Sequence, residues 1–213
     1  MSPGIVILIV FVVIVVLIGL WAMFSYNGLV RLRNLVQEAW RQIDVELTRR
    51  HDLIPNLVET VKGYASHERE TLDAVVRARA AATAPGASVA QQARQEGALS
   101  QALGRLLAIS EAYPNLKANE NFLALQNELS QTEDRIAAGR RFYNANVREL
   151  NTKIESVPSN IIAGIGHFTR ADYFEAEEQS RTAPQVSFGS STIPQTQPLE
   201  RIDPVEPGAP GSA

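Results

Sequence analysis

The chain has 213 residues, and its 20 basic and 23 acidic side chains give a formal net charge of −3. Neither sign is concentrated along a long segment, which argues against a nucleic-acid-binding surface of basic and aromatic residues. The absence of cysteine excludes disulfide bonds, thiolate zinc sites and cysteine nucleophiles. This length suits one domain with accessory segments.

The first predicted element is a membrane-spanning helix over residues 5–24, IVILIVFVVIVVLIGLWAMF, which carry no charge. Twenty residues at about 1.5 Å each reach roughly 30 Å, the thickness of a bilayer's hydrocarbon core. A cleaved signal peptide is the alternative, but it normally has a basic start and a shorter apolar run. The preceding MSPG contains no basic residue, so we predict a retained anchor over residues 1–25.

Basic residues around this span predict its orientation. No lysine or arginine precedes it, whereas Arg31, Arg33 and Arg41 follow it closely. One predicted span implies a single pass through the cell membrane. Positively charged flanks tend to stay on the cytoplasmic side, which sets the expected orientation. The short N-terminus would lie outside and the remaining chain in the cytoplasm.

Four amphipathic helices are predicted after the anchor, in a domain over residues 26–178. Apolar residues recur at steps of three and four over residues 26–50, over 53–83, from Ser88 to the EAYPNL segment, and over 118–157. No alternating β-branched run predicts a strand. Short connections between one-faced helices favour an antiparallel four-helix bundle, so the predicted fold class is all-α.

The segment RRHDLIPNL, residues 49–57, determines where the first of these helices ends. Asp52 can cap a new helix and Pro55 is tolerated in a first turn, which predicts a break at residues 51–54. A single kinked helix is the alternative, because the apolar spacing continues through Pro55. We favour the break, since one helix over residues 27–83 would extend about 85 Å, longer than either later helix.

The composition changes near residue 180 to a segment rich in proline, serine, threonine and glutamine. It holds six of the eleven prolines and few large apolar residues. Such a segment cannot bury enough surface to offset the entropy of ordering it. We therefore predict a disordered tail over residues 179–213.

No motif in the chain predicts an active site. His51–Asp52 and His67–Glu68 are metal-capable pairs, but neighbours on a helix point about 100° apart and do not converge on one ion. The sequence contains no HExxH set, no GxSxG serine motif and no phosphate-binding glycine loop. We therefore predict a non-enzymatic protein without a metal or another cofactor.

Four segments of the chain resemble bacterial LemA family proteins: YNGLVRLRNLVQEAWRQIDVELTRRHDLIPNLVETVKGYASHE, ALGRLLAISEAYPNLKANENFLALQNEL, TEDRIAAGRRFYNANVRELNTKIESVPSNIIAG and YFEA. The likeness covers about residues 24–176, and its motifs are long and specific. The resemblance implies an N-terminal membrane anchor, a helical bundle and an N-out, C-in topology, but no established biochemical activity. The sequence departs from the family pattern only in its proline-rich tail.

Several polar residues interrupt the predicted apolar faces at core spacing: Arg50, Glu68, Gln126, Glu133 and Arg140. They could meet as a charge-paired layer inside the bundle. One interpretation is that such a layer fixes which helices face each other, at some cost in stability. The other is a pocket for a small ligand or ion between the helices. We favour the first, because structural ion pairs are common.

The segment after the fourth predicted helix is expected near the bilayer, because an even number of antiparallel helices returns the chain to its start. It contains an apolar cluster, whose members include Ile161, Ile162, Ile165 and Phe168. The cluster either docks on the end of the bundle or contacts the lipid headgroups. Our hypothesis is membrane contact.

These observations predict an interaction scaffold at the bacterial membrane, with the lipid bilayer and membrane or cytoplasmic proteins as partners. Envelope stress and membrane organisation are the processes that such a scaffold would serve. The alternative is a membrane-tethered sensor that binds a small ligand or ion in the polar layer. Self-association is also plausible, although the span contains no GxxxG motif, so the soluble part would have to drive it.

Overall fold

The computed structural model describes residues 2–175, and every regular element in that range is a helix. The helices are α1 Pro3–Tyr64, α2 Arg69–Ala82, α3 Val89–Ser110, α4 Pro114–Lys117, α5 Glu120–Glu155 and α6 Ser159–Ile165. The predicted all-α class is confirmed. The tail predicted over residues 179–213 lies outside the described residues.

Helix α1 has 62 residues and therefore extends about 93 Å. Its N-terminal part is exposed up to Phe24, and within residues 2–175 it is the one helix long and apolar enough to cross a membrane. From Leu29 onward one face of the same helix is buried, with apolar residues at the predicted steps of three and four. The chain thus passes from the apolar segment into the bundle without a break.

The break predicted at residues 51–54 is wrong, because α1 continues through Pro55 and ends at Tyr64. Proline lacks the N–H that would bind the carbonyl four residues earlier, which is that of His51. In the structure the Nε of Arg79 donates a 2.7 Å hydrogen bond to this carbonyl oxygen. Because Arg79 supplies the donor that Pro55 lacks, the carbonyl of His51 is satisfied and the helix continues through the proline.

Helices α1 and α5 lie antiparallel along the whole length of the bundle. Lys153 of α5 lies against Gly28 near the apolar segment, and Gly139 lies against Ile43 at mid-length. At the far end the Nδ2 of Asn119, which caps α5, donates a 3.0 Å hydrogen bond to the hydroxyl of Tyr64. The hairpin of α2 and α3 packs on the half of this pair that is far from the apolar segment.

Two apolar cores follow one another along the bundle. The near core, beside the apolar segment, is formed mainly by α1 and α5, with smaller contributions from α3, α6 and the residues after α6. Its members include Leu29, Leu32, Ile43, Leu47, Ile136, Val147 and Leu150. The far core is formed by α1, α2, α3 and α5, including Ile54, Leu57, Val61, Val75, Leu99, Leu106 and Phe122. The helical bundle is confirmed, with four long helices contributing to the far core.

The near half is completed by α6 and the non-helical residues 166–175, which return along α5. The hydroxyl of Tyr143 donates to the carbonyl of Asp172 at 2.8 Å, and Asn151 exchanges two hydrogen bonds with the backbone of Ala171. Burial, followed by the nearby charge of Asp172, raises the pKa of Tyr143 to about 12, so this hydroxyl remains a donor. The returning segment thus takes the place that α2 and α3 occupy in the far half.

Candidate functional site

A buried charge network lies where the two cores meet, and Arg50 of α1 is its centre. Arg50 is only 2% exposed. It lies between Leu47, which belongs to the near core, and Ile54, which belongs to the far core. Its Nη1 donates to Glu133 of α5 at 2.7 Å and to Ser100 of α3 at 3.0 Å. One guanidinium therefore joins α1, α3 and α5.

Glu96 of α3 is the buried anion of this network. Its Oε2 accepts a hydrogen bond from Nη2 of Arg50. Its Oε1 lies 2.9 Å from Nε2 of His51 and accepts a 2.8 Å hydrogen bond from Nε2 of Gln92. Because an ionised carboxylate can only accept, the proton of that contact lies on Nε2 of His51. Both oxygens of Glu96 are thus occupied by donors from the protein.

The electrostatic balance at Glu96 favours the ionised form. Burial alone would raise the pKa of Glu96, but the hydrogen bonds and charges of His51 and Arg50 together lower it, with a net downward shift. The resulting pKa lies below the usual glutamate value of 4.5. A buried pair of this kind is costly to desolvate and strongly destabilising to break, because removing one partner leaves the other charge buried alone.

The structure brings together part of the predicted polar layer. Arg50 and Glu133 form an ion pair, although Glu133 is 52% exposed, and Arg140 lines the small cleft beside them. Glu68 lies elsewhere, at the far end of the bundle, where it accepts a 3.1 Å hydrogen bond from the hydroxyl of Tyr113. Gln126 is exposed on α5 and is not among the hydrogen-bond partners of Arg50, which are Ser100, Glu133 and Glu96.

Four members of the network were missed in the sequence: His51 and Glu96, which are buried, and Gln92 and Ser100. A signal for Glu96 was present, since it falls on the apolar face of α3 between Ala93 and Leu99. His51 was considered only as a metal ligand beside Asp52. Within residues 2–175 no group of three or more His, Asp or Glu side chains is placed to hold a metal ion.

Two openings adjoin the network. A cleft of about 50 Å³, with room for a few water molecules, is lined by Arg50, Glu96, Glu133 and Arg140 among others. The Nε of Arg50 is buried and has no hydrogen-bond partner among the described residues. A larger groove of about 410 Å³ runs between α3 and α5, and the residues that line it include Leu103, Leu107, Gln126, Leu129 and Ser130. Arg50 and Glu133 also line this groove, so the network is accessible from it.

The four residues expected to contact the membrane lie on or beside α6. Ile161 is 59% exposed and Ile165 is 73% exposed. Ile162 is partly buried and packs against the near core, and Phe168 is 8% exposed. The ring of Phe168 meets that of Tyr26, with 5.5 Å between centroids. Two of the four side chains therefore face solvent and two hold the segment to the bundle.

The amino-acid sequence is similar to those of several bacterial proteins. A family model described as the LemA family matches residues 39–188. The magnetosome protein MamQ 2 of Paramagnetospirillum magneticum is 27% identical over 185 residues, covering 75% of this chain and 68% of that protein. The protein LemA of Metamycoplasma hominis is 28% identical over 155 residues, covering 73% of this chain and 71% of that protein. The magnetosome protein MamQ of Magnetospirillum gryphiswaldense is 26% identical over 192 residues, covering 77% and 71%.

Proposed function

The chain belongs to the LemA family, and we propose that this membrane-associated helical protein is a non-enzymatic interaction scaffold, anchored by a single pass of α1. The observation that carries the proposal is the continuity of α1. The same helix contains the apolar segment, one wall of the near core, Arg50 and one wall of the far core. The bundle would therefore stand on the membrane as a rigid projection that offers long helical faces to other proteins.

The exposed faces of the helices are charged and solvated. They carry solvated ion pairs such as Arg41 with Glu38 and Lys62 with Glu59, at 3.4 Å each. In the buried network, both oxygens of Glu96 and both terminal nitrogens of Arg50 already bind protein groups. The network is therefore suited to holding three helices in register, which keeps the outer faces in fixed positions.

The orientation that we propose places the N-terminus outside the cell and the bundle in the cytoplasm. It rests on Arg31, Arg33 and Arg41, which follow the apolar segment, and on the absence of basic residues before it. Because the chain has no cysteine, single cysteines can report accessibility. In intact cells a membrane-impermeant thiol reagent should label Ser2→Cys and not Val76→Cys. Labelling of Val76→Cys alone would show that the protein has the opposite orientation.

Proximity labelling in living bacteria tests the scaffold proposal. The full-length chain, fused at its C-terminus to a labelling enzyme, is compared with a version that lacks residues 1–25. We expect a reproducible set of membrane and cytoplasmic neighbours that requires the anchor. A second copy of the chain among them would indicate self-association, which cross-linking of the purified protein would check. Identical labelling by the two versions would contradict a scaffold at the membrane.

The groove between α3 and α5 favours one alternative function, a membrane-tethered sensor for a small ligand or ion. The groove is large enough for a small molecule and opens onto Arg50 and Glu133. The variant Glu133→Leu separates the two functions. Unchanged cellular function together with an equal or higher melting temperature would count against a ligand pocket. Thermal stabilisation of the wild type, but not of Glu133→Leu, by a cellular metabolite fraction would support one.

A further inference from the structure

The membrane end of the bundle carries a surface that the scaffold proposal does not use. Helix α5 ends at Glu155 beside the start of the bundle, where Lys153 lies against Gly28 of α1. The chain then turns into α6, and Phe168 beyond it meets the ring of Tyr26. Tyr26 is two residues, about 3 Å of helix, beyond the exposed apolar segment that ends at Phe24.

This position corresponds to the headgroup layer when α1 spans a bilayer. The hydrocarbon core is about 30 Å thick and the headgroups add roughly 5–8 Å on each side. Residues 25–29 of α1 rise about 6 Å from first to last, so they pass through that layer. The elements that pack against these residues, including Phe168, are therefore held at the same depth. A surface placed there meets lipid before it meets a soluble partner.

Helix α6 has one face on the bundle and the opposite face in solvent. Ala163 is 1% exposed and belongs to the near core. Ile161 and Ile165, one helical turn apart, lie on the other side and are exposed, as is Val157 just before α6. Large apolar residues grouped on an exposed face are typical of a binding surface, and an amphipathic helix beside a membrane anchor is typical of one that binds lipid.

Three basic side chains lie near the same end of the bundle. Arg31 and Arg33 are exposed on α1, and the guanidinium of Arg33 lies 5.1 Å from the centroid of the Phe168 ring. Lys153 approaches α1 at Gly28. Within residues 2–175 none of these three cations has a carboxylate within salt-bridge distance. When α1 spans a bilayer, these cations lie within about a Debye length of the headgroup layer, so anionic lipid headgroups attract them.

We infer that α6 is a second membrane-contacting element, which binds the surface of an anionic phospholipid bilayer. Val157, Ile161 and Ile165 enter the boundary between headgroups and acyl chains, and the three cations bind phosphate-bearing headgroups. Ile162 and Phe168 hold α6 against the bundle. This inference rests on the proposed membrane span of α1. It can be tested separately from the binding of partner proteins, because the contact needs only the purified protein and lipid.

Site-specific quenching tests the depth of α6. The full-length chain, with one cysteine at Met23→Cys, Ile165→Cys or Val76→Cys, is labelled with a fluorophore and reconstituted into vesicles containing lipids with brominated acyl chains. Met23 is exposed in the apolar segment and Val76 is exposed on α2 in the far half. We expect quenching at positions 23 and 165 and none at position 76. Quenching at position 23 without quenching at position 165 would overturn the inference.

The headgroup contact is tested by changing the lipid and the charges. Quenching at position 165 should be stronger in vesicles of phosphatidylcholine with phosphatidylglycerol than in phosphatidylcholine alone. The triple variant Arg31→Gln/Arg33→Gln/Lys153→Gln should abolish this difference, whereas a matched variant of exposed far-half residues, Arg77→Gln/Arg105→Gln/Lys117→Gln, should retain it. Equal quenching of the wild type in both vesicles would overturn the anionic specificity. Circular dichroism would show whether each variant keeps the wild-type helix content.

Discussion

The Nε of Arg79 lies 2.7 Å from the carbonyl oxygen of His51 and donates a hydrogen bond to it. This carbonyl is the one that Pro55 leaves without its usual helical donor, since the proline is four residues later. A side chain of α2 thus supplies what the backbone of α1 lacks. The same contact fixes α2 against the C-terminal part of α1, so the long helix and the hairpin depend on each other.

Arg79→Ala should destabilise the bundle by about 1.5–3 kcal/mol, because hydrogen bonds from charged donors contribute in that range and the His51 carbonyl would lose its partner. Guanidinium unfolding of the full-length chain in detergent, followed by circular dichroism, would measure the change. Arg77→Ala is the control, since Arg77 is an exposed arginine of the same helix.

Replacing the proline should reduce the effect of losing Arg79. Pro55→Ala restores the backbone N–H that binds the His51 carbonyl, so Arg79→Ala should cost less in that background. A double-mutant cycle on the free energy of unfolding measures this coupling. Strictly additive effects would contradict the role assigned to Arg79.

Glu96→Gln should destabilise the bundle by about 3–5 kcal/mol, because it removes the buried anion and leaves the charge of Arg50 in the interior. Glu133→Gln alters the other ion pair of the same arginine, but Glu133 is about half exposed and water can replace it. We expect a cost of about 1 kcal/mol or less for that variant. Similar costs for the two substitutions would show that Arg50 is more hydrated than its burial indicates.

The lowered pKa of Glu96 predicts a loss of stability in acid. Because the folded pKa lies below the unfolded value near 4.5, the folded state binds the proton less readily than the unfolded state. The contribution of Glu96 is complete above pH 4.5 and is lost as the pH falls through the lowered folded pKa. Melting temperatures across this acidic range should fall more steeply for the wild type than for Glu96→Gln. Parallel curves would mean that other carboxylates cause the acid sensitivity.

Gly139→Val should loosen the contact between α1 and α5. A β-carbon at position 139 would lie 3.0 Å from Cγ1 of Ile43, so valine must displace the isoleucine or separate the helices. Overpacking of this kind costs about 1–3 kcal/mol. The same substitution at Gly104, where a β-carbon would meet nothing within 4 Å, should leave the unfolding midpoint unchanged or higher. An unchanged midpoint for Gly139→Val would show that the pair is more adaptable than this spacing indicates.

Periodicity in the sequence was enough to predict the buried helical faces, because those depend on residues three and four positions apart. It did not predict that the helix expected over residues 53–83 is interrupted between Tyr64 and Arg69. The end of α1 was not predictable in this way. Asp52 and Pro55 form a sound local signal for a break, and the donor that overrides it, Arg79, is 28 residues later in the chain than its acceptor. Here the hydrogen bond from Arg79 to the carbonyl of His51 compensates for the tendency of Pro55 to end a helix.

The wrongly predicted break at residues 51–54 also explains why Glu68 was assigned to the polar layer. With a break before Pro55, Glu68 would lie within a bundle helix, whereas α1 in fact ends at Tyr64 and Glu68 precedes α2. Arg50 and Glu133, which the sequence places in one polar layer with three other residues, form an ion pair, and each continues an apolar face at core spacing. Glu96 satisfies the same criterion on α3, and applying it to every helix would have revealed the buried anion.

The unbroken path of α1 has a mechanical consequence. Phe24 and Arg50 are 26 positions apart on one helix, a lever of about 39 Å. If the apolar segment tilts in the lipid by about 10°, the guanidinium end of this lever moves sideways by about 7 Å, with no hinge to absorb the motion. Changes in bilayer thickness, which alter the preferred tilt of a span, would thus displace the helices of the far half of the bundle.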